Sequence, residues 1–144
     1  MITVKQILDE KGHNVWTIGP NASVFEALKL MAEKGIGALM VIENDDVVGV
    51  ISERDYARKV VLHGKLSKDT PVREIMTTQL FGVHFDTSAE ECMALMTDKR
   101  IRHLPVCKEG KLAGVVSIGD IVKAIMDEQK VTINHLENYI MGKY

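Results

Sequence analysis

Two stretches, GVISERD at 49–55 and GVVSIGD at 114–120, share the frame Gly-Val-x-Ser-x-x-Asp and hold the side chains best suited to grip a ligand. Ser52 and Ser117 each offer a hydroxyl, and Asp55 and Asp120, three residues on, each offer a carboxylate. Each frame follows a β-branched run and opens a helical pattern. Serine therefore falls at a strand-to-helix junction and aspartate in the first helical turn. At that point unpaired N–H groups and the positive end of the helix dipole can receive phosphate, and a carboxylate can accept both hydroxyls of a ribose. The competing account is a capping box, in which serine and an acidic residue at N3 satisfy each other's backbone donors. Duplication copies caps as faithfully as sites, so both accounts stand.

The neighbours differ between copies. Arg54, Arg58 and Lys59 surround Asp55, and Lys59 lies one helical turn from it. Arg100, Arg102 and His103 lead into the apolar run of the second half, where the first half has Gly35, Gly37 and Ala38. An unpaired cation at the head of a buried strand is costly, so Arg102 and His103 are expected to need an anionic partner, from protein or ligand. Gly49 and Gly114 are expected to let another backbone or a flat ligand come close.

Signs of catalysis are missing. Gly35-Ile36-Gly37 lacks the third glycine of a dinucleotide fingerprint and follows a helix instead of a strand. The five histidines are dispersed, and no serine or cysteine has the local signature of a nucleophile. Cys92 and Cys107 lack metal-ligand spacing and replace Ala27 and Ile42 of the first half, which marks them as small core side chains. The chain reads as a non-enzyme without a metal site.

The elements that position the frames are themselves duplicated. A shift of 65 residues aligns 15–61 with 80–126 without a gap and with 12 identities. Upstream, VKQIL at 4–8 resembles VREIM at 72–76. Each unit reads strand, helix, strand, strand, helix. SVFEALKLMAEKG has a capping box at Ser23 and Glu26, a stop at Gly35, and an amphipathic spacing between them. ALMVIENDDVVGVIS is a hairpin turning at Asn44–Asp46, and ERDYARKVVLHG is a helix ending near Gly64. The sequence divides into a first unit at 1–66 with a lead-in helix, a second unit at 67–130, and a further helix at 131–144. In that last helix Ile133, Leu136 and Ile140 share one side, expected mainly to cover the chain's own core.

At 144 residues the chain can bury a sizeable core without staples, and a net charge of −2 with a pI near 6.2 argues against DNA held by bulk electrostatics. MITVKQILDE lacks an apolar signal core, and the longest apolar run, at 36–42, is too short for a membrane span. Cytoplasmic localisation is expected.

These residues resemble the tandem CBS-domain proteins, or Bateman modules, and in particular the small stand-alone group. The resemblance covers nearly the whole chain and rests on VKQIL, PVREIMT, GVISERDYARKV, RIRHLPV and GVVSIGDIVKAI. It implies an α/β (α+β) fold of two β-α-β-β-α units packed through their sheets with pseudo-two-fold symmetry, plus flanking helices. It also implies clefts for an adenosine-containing ligand: AMP, ADP, ATP or NAD, with S-adenosylmethionine less favoured. One cleft would use Ser52, Arg54 and Asp55 with Val83, Arg102 and His103. The other would use Ser117 and Asp120 with Thr17, Ile18, Gly37 and Ala38. The aspartates would hold ribose, the serines and basic groups phosphate, and the apolar strand residues adenine. The first cleft has more cations and would take the more highly charged ligand, since Gly119 stands where the first copy has Arg54. The resemblance further implies a homodimer that signals to a protein target the sequence does not name. The alternative is a homodimerising interaction module whose clefts are vestigial.

Overall fold

Every α-helix of this chain begins on a hydroxyl side chain. Thr3, Ser23, Ser52, Ser88 and Ser117 each accept a hydrogen bond from the backbone N–H three residues on, which fixes where helix can start. A computed structural model of the chain describes residues 1–142. Its elements are α1 (Val4–Lys11), β1 (Thr17–Ile18), α2 (Val24–Lys34), β2 (Ala38–Glu43), β3 (Asp46–Ser52), α3 (Glu53–Lys59), α4 (Ala89–Lys99), β4 (His103–Lys108), β5 (Lys111–Ser117) and α5 (Ile118–Ile140). The mixed α/β architecture and the duplicated element order agree with the sequence reading.

The strands form a three-stranded sheet in the order β1-β2-β3 and a two-stranded sheet, β4-β5. β1 runs parallel to β2, with Ile18 opposite Val41, and β2 is antiparallel to β3. In the second copy β1 shrinks to a single parallel bridge, Val83 to Val106, at the same repeat positions. The hairpin turns carry left-handed residues, Asn44 and Asp45 in the first and Glu109 and Gly110 in the second.

The chain divides into two compact units that do not follow sequence order. One comprises Met1–His13, Gly82–Lys108 and the residues from Gly114 onward; the other comprises Asn14–Phe81 and Glu109–Ala113. The lead-in segments explain this division. Val4 N–H donates to Thr87 C=O at 2.8 Å, and Ala89 N–H donates to Ile2 C=O at 2.9 Å, which ties residues 2–4 to the start of α4. In the other unit Val24 N–H donates to Thr70 C=O and Val72 N–H to Ala22 C=O, both at 2.8 Å, the same arrangement at the start of α2. Val24, Ala27, Met31, Leu39, Val41, Ile51, Val60, Val72 and Ile75 form the core of that unit.

Two expectations need correction, and the two similar lead-in segments fold differently. PVREIMT forms only a single 3₁₀ turn, Val72–Glu74, because Thr77 immediately leaves to exchange backbone bonds with Val50 at 2.8 and 3.0 Å. Residues 131–140 continue α5 without a break and form no separate helix; Lys143 and Tyr144 of the expected segment lie outside the described residues. The apolar side of that segment does not cover the chain's own core. Ile133 is 52%, Leu136 58% and Ile140 82% exposed.

Candidate functional site

The two serine–aspartate frames are complete capping boxes. Ser52 Oγ accepts from Asp55 N–H at 3.2 Å, and Asp55 Oδ2 accepts from Ser52 N–H at 3.0 Å and from Ser52 Oγ at 3.1 Å. Ser117 Oγ accepts from Asp120 N–H at 3.2 Å, and Asp120 Oδ2 accepts from Ser117 N–H at 2.8 Å. The capping account is therefore realised in both copies.

Capping leaves acceptor capacity, and here the copies part. A carboxylate has about four lone-pair sites. Lys59 Nζ lies 3.2 Å from Asp55 Oδ1 and also donates to Ile75 C=O at 2.9 Å, so both oxygens of Asp55 are engaged. Asp120 is met instead by Lys11, whose Nζ is 2.6 Å from Oδ2 and donates to Val115 C=O at 2.9 Å. The bonds from Ser117 and Lys11 converge on Oδ2, which leaves Oδ1 without a hydrogen-bond partner among the described residues. Burial pushes the Asp120 carboxyl up, but the bonds from Lys11 and the Ser117 backbone, with the charge of Lys11, together hold it below its ordinary value.

Each frame is flanked by the strand approach of its own unit. Gly37 C=O accepts from Glu53 N–H at 3.1 Å, and Ala38 pairs with Ser52 in the β2–β3 register. In the second copy Arg102 C=O accepts from Ile118 N–H at 2.9 Å. Of the residues singled out by sequence, Thr17, Ile18, Gly37, Ala38, Ser52, Arg54 and Asp55 thus belong to one unit and Val83, Arg102, His103, Ser117 and Asp120 to the other. His103 is half-buried; burial, with the charges of Lys11 and Arg102, lowers its pKa against the opposing pull of Asp120. It is therefore neutral at pH 7. Arg102 is exposed, so water solvates its charge and the expected anionic partner is not required.

The glycines of the frames serve packing within each unit. A Cβ on Gly114 would lie 2.8 Å from Leu8 Cδ1, and one on Gly49 would lie 2.7 Å from Met76 Sδ and 3.1 Å from Thr77 O. The close approach expected there is made by the lead-in segments.

Sequence reasoning missed Lys11. It sits in the last turn of α1, just before the Gly12 cap, and no local pattern ties it to a residue in α5. Beside it lies a cavity of about 280 Å³ lined by Ile7, Glu10, Lys11, Asp120, Lys123 and Ala124. Among the described residues, no three of His, Cys, Asp and Glu come together so as to hold a metal ion, and no helix is long and apolar enough to cross a membrane.

Against known proteins, the family model described as CBS domain matches twice, at residues 2–62 and 72–127. The mitochondrial CBS domain-containing protein CBSX3 of Arabidopsis thaliana is 38% identical over 152 residues, covering 99% of this chain and 73% of its own length. The crystal structure of the CBS-domain containing protein ATU1752 from Agrobacterium tumefaciens superposes with a TM-score of 0.81 at 38% identity, covering 85% of this chain and 98% of that one. The CBS domain pair of protein MJ0100, solved in complex with 5′-methylthioadenosine and S-adenosyl-L-methionine, gives a TM-score of 0.76 at 26% identity, covering 85% and 98%.

Proposed function

This chain belongs to the CBS-domain family and carries two copies of the unit, and from that premise we propose that it is a regulatory module binding an adenosine-containing ligand. The observation that carries the reading is the free Oδ1 of Asp120, on a carboxylate already fixed by Ser117 and Lys11. A rigid, ionised acceptor in the first turn of a helix suits the paired hydroxyls of a ribose. The cations of Lys11 and Arg102, and of Arg54 in the first copy, are available to phosphate. The complex of the MJ0100 domain pair with two adenosine compounds supports the ligand class. AMP, ADP, ATP and NAD are the ligands we favour, with S-adenosylmethionine behind them. The module would work by population shift: ligand favours one conformation, and the surface offered to a protein partner changes by no more than the differential affinity allows. It needs no chemistry of its own.

Thermal unfolding with AMP, ADP, ATP, NAD and S-adenosylmethionine tests this, beside Asp55→Asn and Asp120→Asn, which keep an acceptor for the cap. Ligand at one hundred times its Kd stabilises by about 2.7 kcal/mol, a midpoint rise of several degrees. We expect the rise to shrink in Asp120→Asn. No rise with any ligand, in protein freed of carried-over nucleotide, leaves the frames as caps. A second reading, a homodimerising interaction module, would then lead; the exposed apolar side of α5 favours it.

A further inference from the structure

Lys11 carries a donor that its place in the fold does not use. A lysine ammonium has three N–H donors. Lys11 Nζ gives one to Asp120 Oδ2 at 2.6 Å and one to Val115 C=O at 2.9 Å. No acceptor among the described residues takes the third. Asp120 Oδ1, on the same carboxylate, is likewise without a hydrogen-bond partner there. A spare donor and a spare acceptor thus sit on two side chains already locked to each other, within one compact unit.

The duplication shows that the fold does not require this arrangement. Val50, the counterpart of Val115, has its C=O satisfied by the backbone N–H of Thr77 at 2.8 Å, a group with no further hydrogen to offer. Asp55, the counterpart of Asp120, has Lys59 Nζ 3.2 Å from Oδ1, the oxygen that stays open in the second copy. There two separate groups close the two acceptors; here one ammonium holds both and leaves an oxygen over.

The space beside the pair sets the size and charge of what can use it. The cavity of about 280 Å³ lies just below the ~300–1,000 Å³ of sites that enclose a whole small molecule, so it suits a sugar ring better than an entire nucleotide. Its charged lining, Lys11 and Lys123 against Glu10 and Asp120, sums to zero and offers no net positive field for phosphate. Lys123 is moreover already paired, with Glu10 at 3.4 Å and Asp127 at 3.0 Å. Buried Ile7 and Ala124 supply an apolar wall for the C–H face of a ring. A neutral ring whose hydroxyl both gives and accepts a hydrogen bond meets all of these conditions.

We propose that Lys11 is a ligand-contact residue that reads a ribose hydroxyl together with Asp120. The hydroxyl donates to Asp120 Oδ1, and its oxygen accepts the third N–H of Lys11. This rests on the reading of the chain as an adenosine-binding module, and it narrows the part of Lys11 in that module from the phosphate to the sugar. A sugar lacking the hydroxyl leaves two groups unpaired, so the site discriminates against it.

Calorimetric titration of the full chain with AMP and ATP, each beside its 2′-deoxy and 3′-deoxy forms, tests the contact. Wild type should bind one of the deoxy forms about tenfold more weakly than the parent nucleotide, and that form identifies the hydroxyl. In Lys11→Met the ratio should shrink to about threefold, since Asp120 alone still distinguishes the two. Lys123→Met removes an equal charge from the same cavity and should weaken both forms alike, keeping the ratio. Equal binding of parent and deoxy forms by wild type, or a ratio unmoved by Lys11→Met, overturns the contact and leaves the ligand reading in place. Absence of any binding of AMP and ATP overturns the nucleotide reading and the contact together.

Discussion

Lys11 and Asp120, 109 residues apart in the chain, meet at 2.6 Å, whereas the duplicate carboxylate of Asp55 is met at 3.2 Å by Lys59 of its own helix. The residue at the Lys59 position of the second copy is Ala124. One duplicated carboxylate has thus acquired its cation by two unrelated routes. The local route braces a helix turn; the distant one ties α1 to the end of β5 and the start of α5.

Lys11→Met should therefore cost more than loss of an exposed pair such as Lys5–Asp9. The substitution strips a charge partner from half-buried Asp120 and a donor from Val115 C=O. We expect about 1 kcal/mol, a midpoint drop of roughly 2–4 °C, against little change for Lys5→Met. Because the Asp120 pKa is lowered by folding, its contribution is complete above about pH 4 and is lost as pH falls through the lower folded value. Unfolding midpoints from pH 2 to 5 should fall less steeply in Lys11→Met. Equal slopes would show that Lys11 does not hold the carboxylate.

His103 adds a pH dependence of the same sign nearer neutrality. Folding lowers its pKa, so the unfolded chain binds the proton more readily and stability rises with pH. Its contribution is full above about pH 6.5 and erodes below that value. Stability of His103→Gln, measured from pH 5 to 7.5, should be flatter than that of wild type. A wild-type curve with no slope in this window would remove His103 from the account.

Gly114→Ala places a methyl group 2.8 Å from a terminal carbon of Leu8, which is itself buried. Overpacking of this kind costs about 1–3 kcal/mol. Shortening Leu8 to Val in the same chain should recover part of that loss, and a double-mutant cycle measures the coupling. Strict additivity of the two substitutions would mean that they do not share the contact.

The two thiols should label at different rates. Cys92 is fully buried, and burial with the nearby charge of Glu91 pushes its pKa up to about 11, whereas Cys107 is half-buried. A thiol-reactive reagent on native protein should modify Cys107 first, with Cys92 protected until unfolding. Peptide mass mapping of the labelled chain reads this directly, and early modification at Cys92 would contradict its burial.

How much of this was legible depends on the reach of each interaction. Ser52 and Asp55, or Ser117 and Asp120, are three residues apart, so their reciprocal caps could be read from spacing alone, as could the turn linking Asp55 to Lys59. Lys11 carries no such mark, because its partner is set by tertiary packing. VKQIL and VREIM read alike yet fold differently: α1 runs on to Lys11, whereas the second segment must release Thr77 to pair with Val50. The stripe of Ile133, Leu136 and Ile140 was visible as a helix face. Periodicity announces that a face wants cover without saying which molecule supplies it, and here it is not the chain's own core.

The crossed lead-ins bear on the order in which the protein can be built. One unit needs Met1–His13 together with the chain from Gly82 into α5, so α1 cannot dock until Thr87 and Asp120 have been made. The other draws almost wholly on Asn14–Phe81, a nearly continuous stretch, and lacks only the hairpin tip at Glu109–Ala113 when residue 81 emerges. During synthesis the middle of the chain can take shape while α1, with Val4, Ile7 and Leu8, still hangs unpaired in solution. Those three side chains are buried in the finished protein. For that interval they form the part of the nascent chain most in need of a chaperone's shelter.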